Sequence, residues 1–272
     1  MDRRSWPATD RMAHVSLRGL TKAAAWTEGQ AMQVRVPLVD LLVAPQGARE
    51  RQLALGAGFT VIDRDRGHAF GFAVQDGYCG WLPEAALGIG PAPTHWVASV
   101  GTHLYPEPRS SAPEVGALPM GARVAVTGRV YKWAETPAGF VPWSHLRELG
   151  DWLDDPVTVA EGFLGTPYLW GGNSRAGIDC SGLVQGAFAA CGINLPGDAD
   201  LQETAGHEVS GDLRRGDLVF WNGHVALVVE GARLIHANGF TMSVAYEETQ
   251  ACIHRIALAE GPVTARRRVQ ST

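Results

Sequence analysis

Three side chains in the last third of the chain carry the chemistry of a thiol nucleophile and its base: Cys180, His224 and His236. Cys180 opens a run in which Leu183, Val184, Ala187, Phe188 and Cys191 recur at helical spacing, and Gly192 supplies a stop. The cysteine therefore falls in the first turn of a helix. Unpaired amides and the positive end of the helix dipole favour an anion there, and the thiolate is the nucleophilic form of cysteine. A thiolate nucleophile needs a base within reach and a third group to orient that base. His224 begins a β-branched run, residues 224–229, directly after the turn pair Asn222-Gly223. A turn centred on Glu230 leads into the next short strand, residues 233–237. This turn predicts His224 directly opposite His236, and a slip of two residues still keeps both on one sheet face. His224 is then the base and His236 its orienter. Zinc is the rival use of the same three side chains, but no Cys-x-x-Cys or His-x-x-x-His spacing and no obvious fourth ligand supports it.

Four ordered blocks surround these residues: Tyr168-x-Trp170-Gly171-Gly172, Asp179-Cys180-Ser181-Gly182, Gly223-His224-Val225-Ala226 and Ile235-His236-Ala237. Together they resemble the NlpC-type cell-wall cysteine peptidases, papain-like enzymes that cut peptidoglycan stem peptides, over about residues 152 to 258. The resemblance implies that Cys180 is the nucleophile, His224 the general base and His236 the third member, with no cofactor. It places Tyr168 beside the nucleophile, where the phenol helps polarise the scissile carbonyl. The backbone amide of Cys180, at the helix start, is the natural oxyanion donor.

The elements ahead of this domain read as β-structure. A weak internal repeat aligns Leu53-x-x-Gly56-Ala57 with Leu118-x-x-Gly121-Ala122, and Gly80-Trp81-Leu82-Pro83 with Gly139-Phe140-Val141-Pro142. Each copy has the glycine- and proline-punctuated short strands of a small closed barrel. Both copies resemble bacterial Src-homology-3-type barrels, joined near Pro91-Ala92-Pro93, with residues 12 to 45 expected as a strand-rich stretch packed on the first barrel. The expected fold is therefore α+β, a papain-like C-terminal peptidase domain (151–272) preceded by two all-β barrels (1–90 with an N-terminal extension, and 91–150).

A subgroup of the family with two such barrels acts on small soluble muropeptides. Its first barrel walls off one end of the cleft and offers a tyrosine to the substrate's free amino terminus. Here Gln75-Asp76-Gly77-Tyr78-Cys79-Gly80-Trp81 resembles that segment and nominates Tyr78. The subgroup's amine-binding glutamate has no counterpart, because this chain reads Leu53-Ala54-Leu55-Gly56-Ala57. The resemblance then leaves Asp179, with Ser181 beside it, as the matched carboxylate for an ammonium group; either specificity is relaxed, or another acid such as Glu50 or Asp76 substitutes.

Composition narrows the alternatives. A net charge of −5 excludes no fold but argues against nucleic acid or an anionic membrane as partner. The four cysteines, at 79, 180, 191 and 252, show no paired spacing, which suits a reducing compartment. The N-terminal residues lack the apolar run of a signal peptide, so a cytoplasmic location is expected. The expected activity is hydrolysis of the γ-D-glutamyl bond to the diamino acid (meso-diaminopimelate or lysine) in stem peptides with a free N-terminal L-Ala, in muropeptide recycling. A papain-like amidase or acyltransferase, and an inactive peptidoglycan-binding module, are the rival readings.

Overall fold

The computed structural model describes residues 2–269; Met1 of the expected N-terminal extension and residues 270–272 of the expected peptidase domain lie outside the described residues. The chain divides into two compact units between Leu149 and Gly150.

The first unit is built of short strands, as its glycine and proline punctuation dictates. Its largest sheet has seven antiparallel strands in the order Arg49–Ala54, Leu38–Leu42, Cys79–Pro83, His68–Ala73, Gly58–Asp65, Gln30–Val34 and Leu87–Gly88. This corrects one expectation. Residues 30–42 are not an addition packed on a barrel but strands of the sheet itself, with Gln30–Val34 paired to Gly58–Asp65 and Leu38–Leu42 to Arg49–Ala54. The physical reason is alternation: Val34, Val39 and Leu41 point into the same core as Phe59, Val61 and Leu82. A second set of strands, within residues 95–148, closes on Val97, Leu118, Ala122, Ala134 and Val141, and Leu55 from the first set joins that cluster.

The sequence repeat has a conformational counterpart. Gly56 and Gly121 both adopt left-handed backbone, with φ of 76° and 82°. Pro83 and Pro142 each open a single 3-10 turn, Glu84–Ala86 and Trp143–His145, with φ of −54° and ψ of 123° and 124°. Proline fixes φ and lacks an N–H, so it suits the position where a strand ends and a turn begins.

The second unit is a six-stranded antiparallel sheet with helices. Its strand order is His207–Glu208, Ala265–Arg268, Leu218–Trp221, His224–Glu230, Arg233–Asn238 and Ser243–Glu248. Helix α1 (Pro156–Glu161) starts at the Asp155 cap, whose carboxylate accepts the amides of Val157 and Thr158 at 3.1 and 3.2 Å. Helix α2 (Cys180–Ala190) ends at Gly192, whose φ of 78° no ordinary side chain adopts readily. Helices α3 (Ala199–Gln202) and α4 (Thr249–Ala259) complete the set. Alternation sends Val219, Trp221, Ala226, Val228 and Leu234 to one cluster, which Cys252 and Ile256 of α4 complete. Helix α2 packs against two neighbouring strands, His224–Glu230 and Arg233–Asn238. Among the described residues, no helix is long and apolar enough to cross a membrane.

Because α2 carries the candidate nucleophile, its anchoring governs the site. Phe188 is 1% exposed and fixes the helix's far end. Phe188→Ala should lower unfolding stability by about 3–5 kcal/mol in urea denaturation, the ordinary cost of emptying a buried aromatic site.

Candidate active site

The start of α2 is held by one carboxylate. Asp179 is the N-cap; its Oδ1 accepts the Gly182 amide at 2.6 Å and the Ser181 hydroxyl at 3.2 Å, and its Oδ2 accepts the Gly171 amide at 2.8 Å. The glycine-broken loop before the helix is thereby tied to the helix start. Close backbone approach explains the glycines: a Cβ at Gly182 would lie 2.6 Å from the Gly172 carbonyl oxygen, and one at Gly172 would lie 2.5 Å from the Gly177 oxygen. The Asn173–Ser174 and Gly177–Ile178 hairpin and a parallel bridge from Tyr168 to Ile178 complete the frame.

Cys180 is buried, and the amides of Val225, Ser181 and Cys180 itself favour its thiolate. Val225 follows His224 directly, so the sulfur sits at the beginning of the His224 strand. His224 Nε2 lies 2.9 Å from His236 Nδ1, and His236 Nε2 lies 3.2 Å from a carboxylate oxygen of Glu247. With Nε2 committed to His236, Nδ1 is the ring nitrogen of His224 left to serve the thiol. Trp221 packs beside His224, with ring centroids 5.7 Å apart. Tyr168 is partly buried, and the proximity of Cys180 and Asp179 adds to burial in raising its phenol's pKa.

The two histidines share a face, but the direct opposition expected from the turn does not occur. Leu227 pairs with Ile235 and Val228 with Leu234, while Glu230 pairs with Arg233, so Val229 is an extra residue in its strand. In that register His236 falls opposite Ala226, two residues from His224. A slip of two preserves the face and makes the imidazoles diagonal neighbours, which long aromatic side chains still bridge.

Burial sets the charge state. It pushes the Cys180 thiol up to about 12, with the Asp179 carboxylate adding to the effect and the three amides opposing it. This reverses the expectation that the helix start lowers the thiol's pKa at rest. Burial also pulls His224 down to about 3 and His236 to about 4. These shifts favour the uncharged forms, a thiol at Cys180 and neutral imidazoles at His224 and His236. Cys191, on the same helix, is half-buried and lines a separate cavity of about 820 Å³ with Trp152, Phe188, Arg215 and Arg268.

Of the other site residues read from the sequence, Ser181 is buried and bonded to the Asp179 cap. Tyr78 belongs to the first unit, where it joins the barrel core with the Arg51 guanidinium 4.8 Å above its ring. The two acids that could replace the missing glutamate are already paired: Glu50 with Arg3 at 2.7 Å and Asp76 with Arg51 at 2.5 Å. Ala57 packs against the first core cluster. Glu247, Trp221 and Arg255 escaped the sequence reading, since an acid in a charged strand end and an arginine on a helix carry no local signal. As for metals, His236, Glu247 and Cys252 offer ligand atoms within 4.8 Å of one another. Arg255, however, occupies both Glu247 oxygens at 2.8 and 2.7 Å, so a guanidinium holds the place a cation would take.

Residues 165–258 match the model of the NlpC/P60 family. The second unit carries an NlpC/P60 cysteine peptidase domain. Residues 41–87 match the bacterial dipeptidyl-peptidase Sh3 domain, so an SH3-type module precedes it. The chain is 26% identical over 274 residues to a gamma-D-glutamyl-L-lysine dipeptidyl-peptidase of Bacillus cereus, a match covering 85% of this chain and 79% of that protein. It is 32% identical over 124 residues to the peptidoglycan endopeptidase RipB of Mycobacterium tuberculosis, covering 39% of this chain and half of that one. A crystal structure of an NlpC/P60 family protein from Bacillus cereus superposes with a TM-score of 0.75 at 21% identity, over 89% of this chain and all of that one. The homologues are thus NlpC/P60 peptidoglycan endopeptidases.

The depressed imidazoles make a pH prediction. Each is lowered from its usual 6.5, so the unfolded chain binds protons that the folded one refuses. Their contribution to stability should be complete above about pH 6.5 and should fall away as pH drops toward 4 and then 3. Urea titrations across that window should show a smaller loss for a His224→Gln variant than for the native chain.

Proposed function

We propose that the protein hydrolyses the γ-D-glutamyl bond to the diamino acid in peptidoglycan stem peptides such as L-Ala-γ-D-Glu-meso-diaminopimelate or its lysine counterpart, in the recycling of muropeptides. The observation that carries this reading is the series of a cysteine at a helix start, met by the amide of Val225 directly after His224, and His236 at 2.9 Å from the His224 ring. The activity for which the Bacillus cereus relative is named supports the choice of bond.

The chemistry follows from the geometry. Cys180 gives its proton to His224 Nδ1, and the sulfur attacks the γ-glutamyl carbonyl carbon. The developing oxyanion meets the Cys180 amide and the Tyr168 phenol. The C–N bond then breaks as His224 returns its proton to the leaving amine, which yields a thioester and the diamino-acid fragment. Water, losing a proton to the same imidazole, hydrolyses the thioester and frees the thiol. His236 accepts no proton from substrate; it orients the base.

With alanine at 57, the resemblance assigns a substrate ammonium to Asp179, whose oxygens already accept the Gly182, Ser181 and Gly171 donors, so an ammonium would share that cap. Cys180→Ala should abolish turnover of L-Ala-γ-D-Glu-diamino acid peptides while the melting temperature is kept. His224→Ala should be nearly as damaging, because members of one catalytic unit fail together. Acetylating the substrate's amino terminus should lower kcat/KM by about tenfold, the low end for losing one charge-assisted hydrogen bond. Mass spectrometry of the products decides the matter: free L-Ala-γ-D-Glu supports the reading, whereas cleavage elsewhere, or transfer to an added amine in place of water, would overturn it.

A further inference from the structure

The His224–His236 pair does not end at His236. Glu247 stands on the neighbouring strand, where Leu234 pairs with Glu247 and His236 with Ala245, so alternation puts its side chain on the face of His236. Its carboxylate meets His236 Nε2 at 3.2 Å and takes two bonds from the Arg255 guanidinium of α4. Arg255 is in turn stacked on Phe240, 4.5 Å from its ring centroid, which fixes the guanidinium in place. The ionisable groups acting on the two imidazoles are each other, Glu247 and Arg255, with the Cys252 thiol beside Glu247; the Cys180 sulfur meets the amide of Val225, the residue after His224.

We propose that Glu247 is a positioning residue that fixes the tautomers of both imidazoles and supplies the negative end of a four-member relay, Cys180–His224–His236–Glu247. The inference rests on Cys180 being the nucleophile. A carboxylate paired with Arg255 is ionised and can only accept, so His236 must carry its proton on Nε2. His236 Nδ1 is then an acceptor, and His224 must donate to it from Nε2. That leaves a lone pair on His224 Nδ1, the form a general base needs. Reversing any member of the series would set two lone pairs or two protons against each other. When His224 takes the thiol proton, the new positive charge is felt by the carboxylate through one imidazole. Arg255 opposes it, since a cation lowers both imidazole pKa values while the carboxylate raises them.

The two flanking charges therefore predict shifts of opposite sign. Glu247→Gln keeps an acceptor oxygen and removes the charge. It should reduce kcat by about tenfold at unchanged KM and move the acid limb of kcat/KM down by roughly one pH unit. Arg255→Gln leaves the carboxylate and removes the cation, so the limb should move up. Nitrogen-15 spectra of the native enzyme should show both imidazoles protonated on Nε2. A Glu247 that only staples its strand to α4 would lower the melting temperature in both variants and leave the limb in place. That result, limbs moving the same way, or a native His236 protonated on Nδ1 would overturn the proposal. Should Glu247→Gln fail to fold, the Arg255→Gln limb decides by itself: upward supports, unmoved or downward refutes. Loss of the nucleophile assignment would instead appear as activity surviving in Cys180→Ala.

Discussion

The site depends on the Asp179 carboxylate. Two of its three hydrogen bonds go to backbone amides on opposite sides of Cys180, Gly171 in the incoming loop and Gly182 in the helix. Neither segment could hold its position alone: the loop lacks regular structure, and the first amides of a helix have no internal partners. One side chain satisfies both, and the cysteine is carried at the junction. The close backbone contacts around Gly172 and Gly182 are what that junction requires.

The same packing creates an electrostatic conflict. A buried thiol resists ionisation and a buried imidazole resists protonation, and both effects are present here. Amides at the sulfur and a carboxylate beyond the second imidazole counter them from either end. The dry setting keeps the resting pair neutral and strengthens every dipole once charge separates. A site of this kind holds its reactivity back until a proton moves.

Much of the constellation was legible in the sequence, because helical spacing after Cys180 and period-two alternation in the two strands are local properties. The helix start at Cys180, the helix end at Gly192 and the shared face of the histidines all follow from such patterns, whereas Asp179 was read for a substrate ammonium and not as the N-cap it forms. What escaped notice depends on distant partners. The turn falls between Glu230 and Arg233 and not on Glu230, which displaces His236 by three positions, and the bulge at Val229 takes one back; both answer to packing that no local signal announces. Glu247 gains meaning only from Arg255 and His236, which strand pairing and α4 bring to it. Strands 30–34 and 38–42 were misplaced because the internal repeat begins after them, although their alternation marks them as core-facing. The charge state of Cys180 was misjudged because a helix start is visible in sequence and the degree of burial is not.

The bulge has an arithmetic consequence for the hairpin between the two histidines. Alternation has two values, so one residue inserted within either strand, between 224 and 230 or between 233 and 236, turns one imidazole to the opposite face unless a second bulge compensates it. Val229 already adds one unpaired residue on the first strand. Residues added inside the turn, between Glu230 and Arg233, leave the pairing as it is. The strands are therefore restricted in length by parity, while the turn that joins them is free to drift.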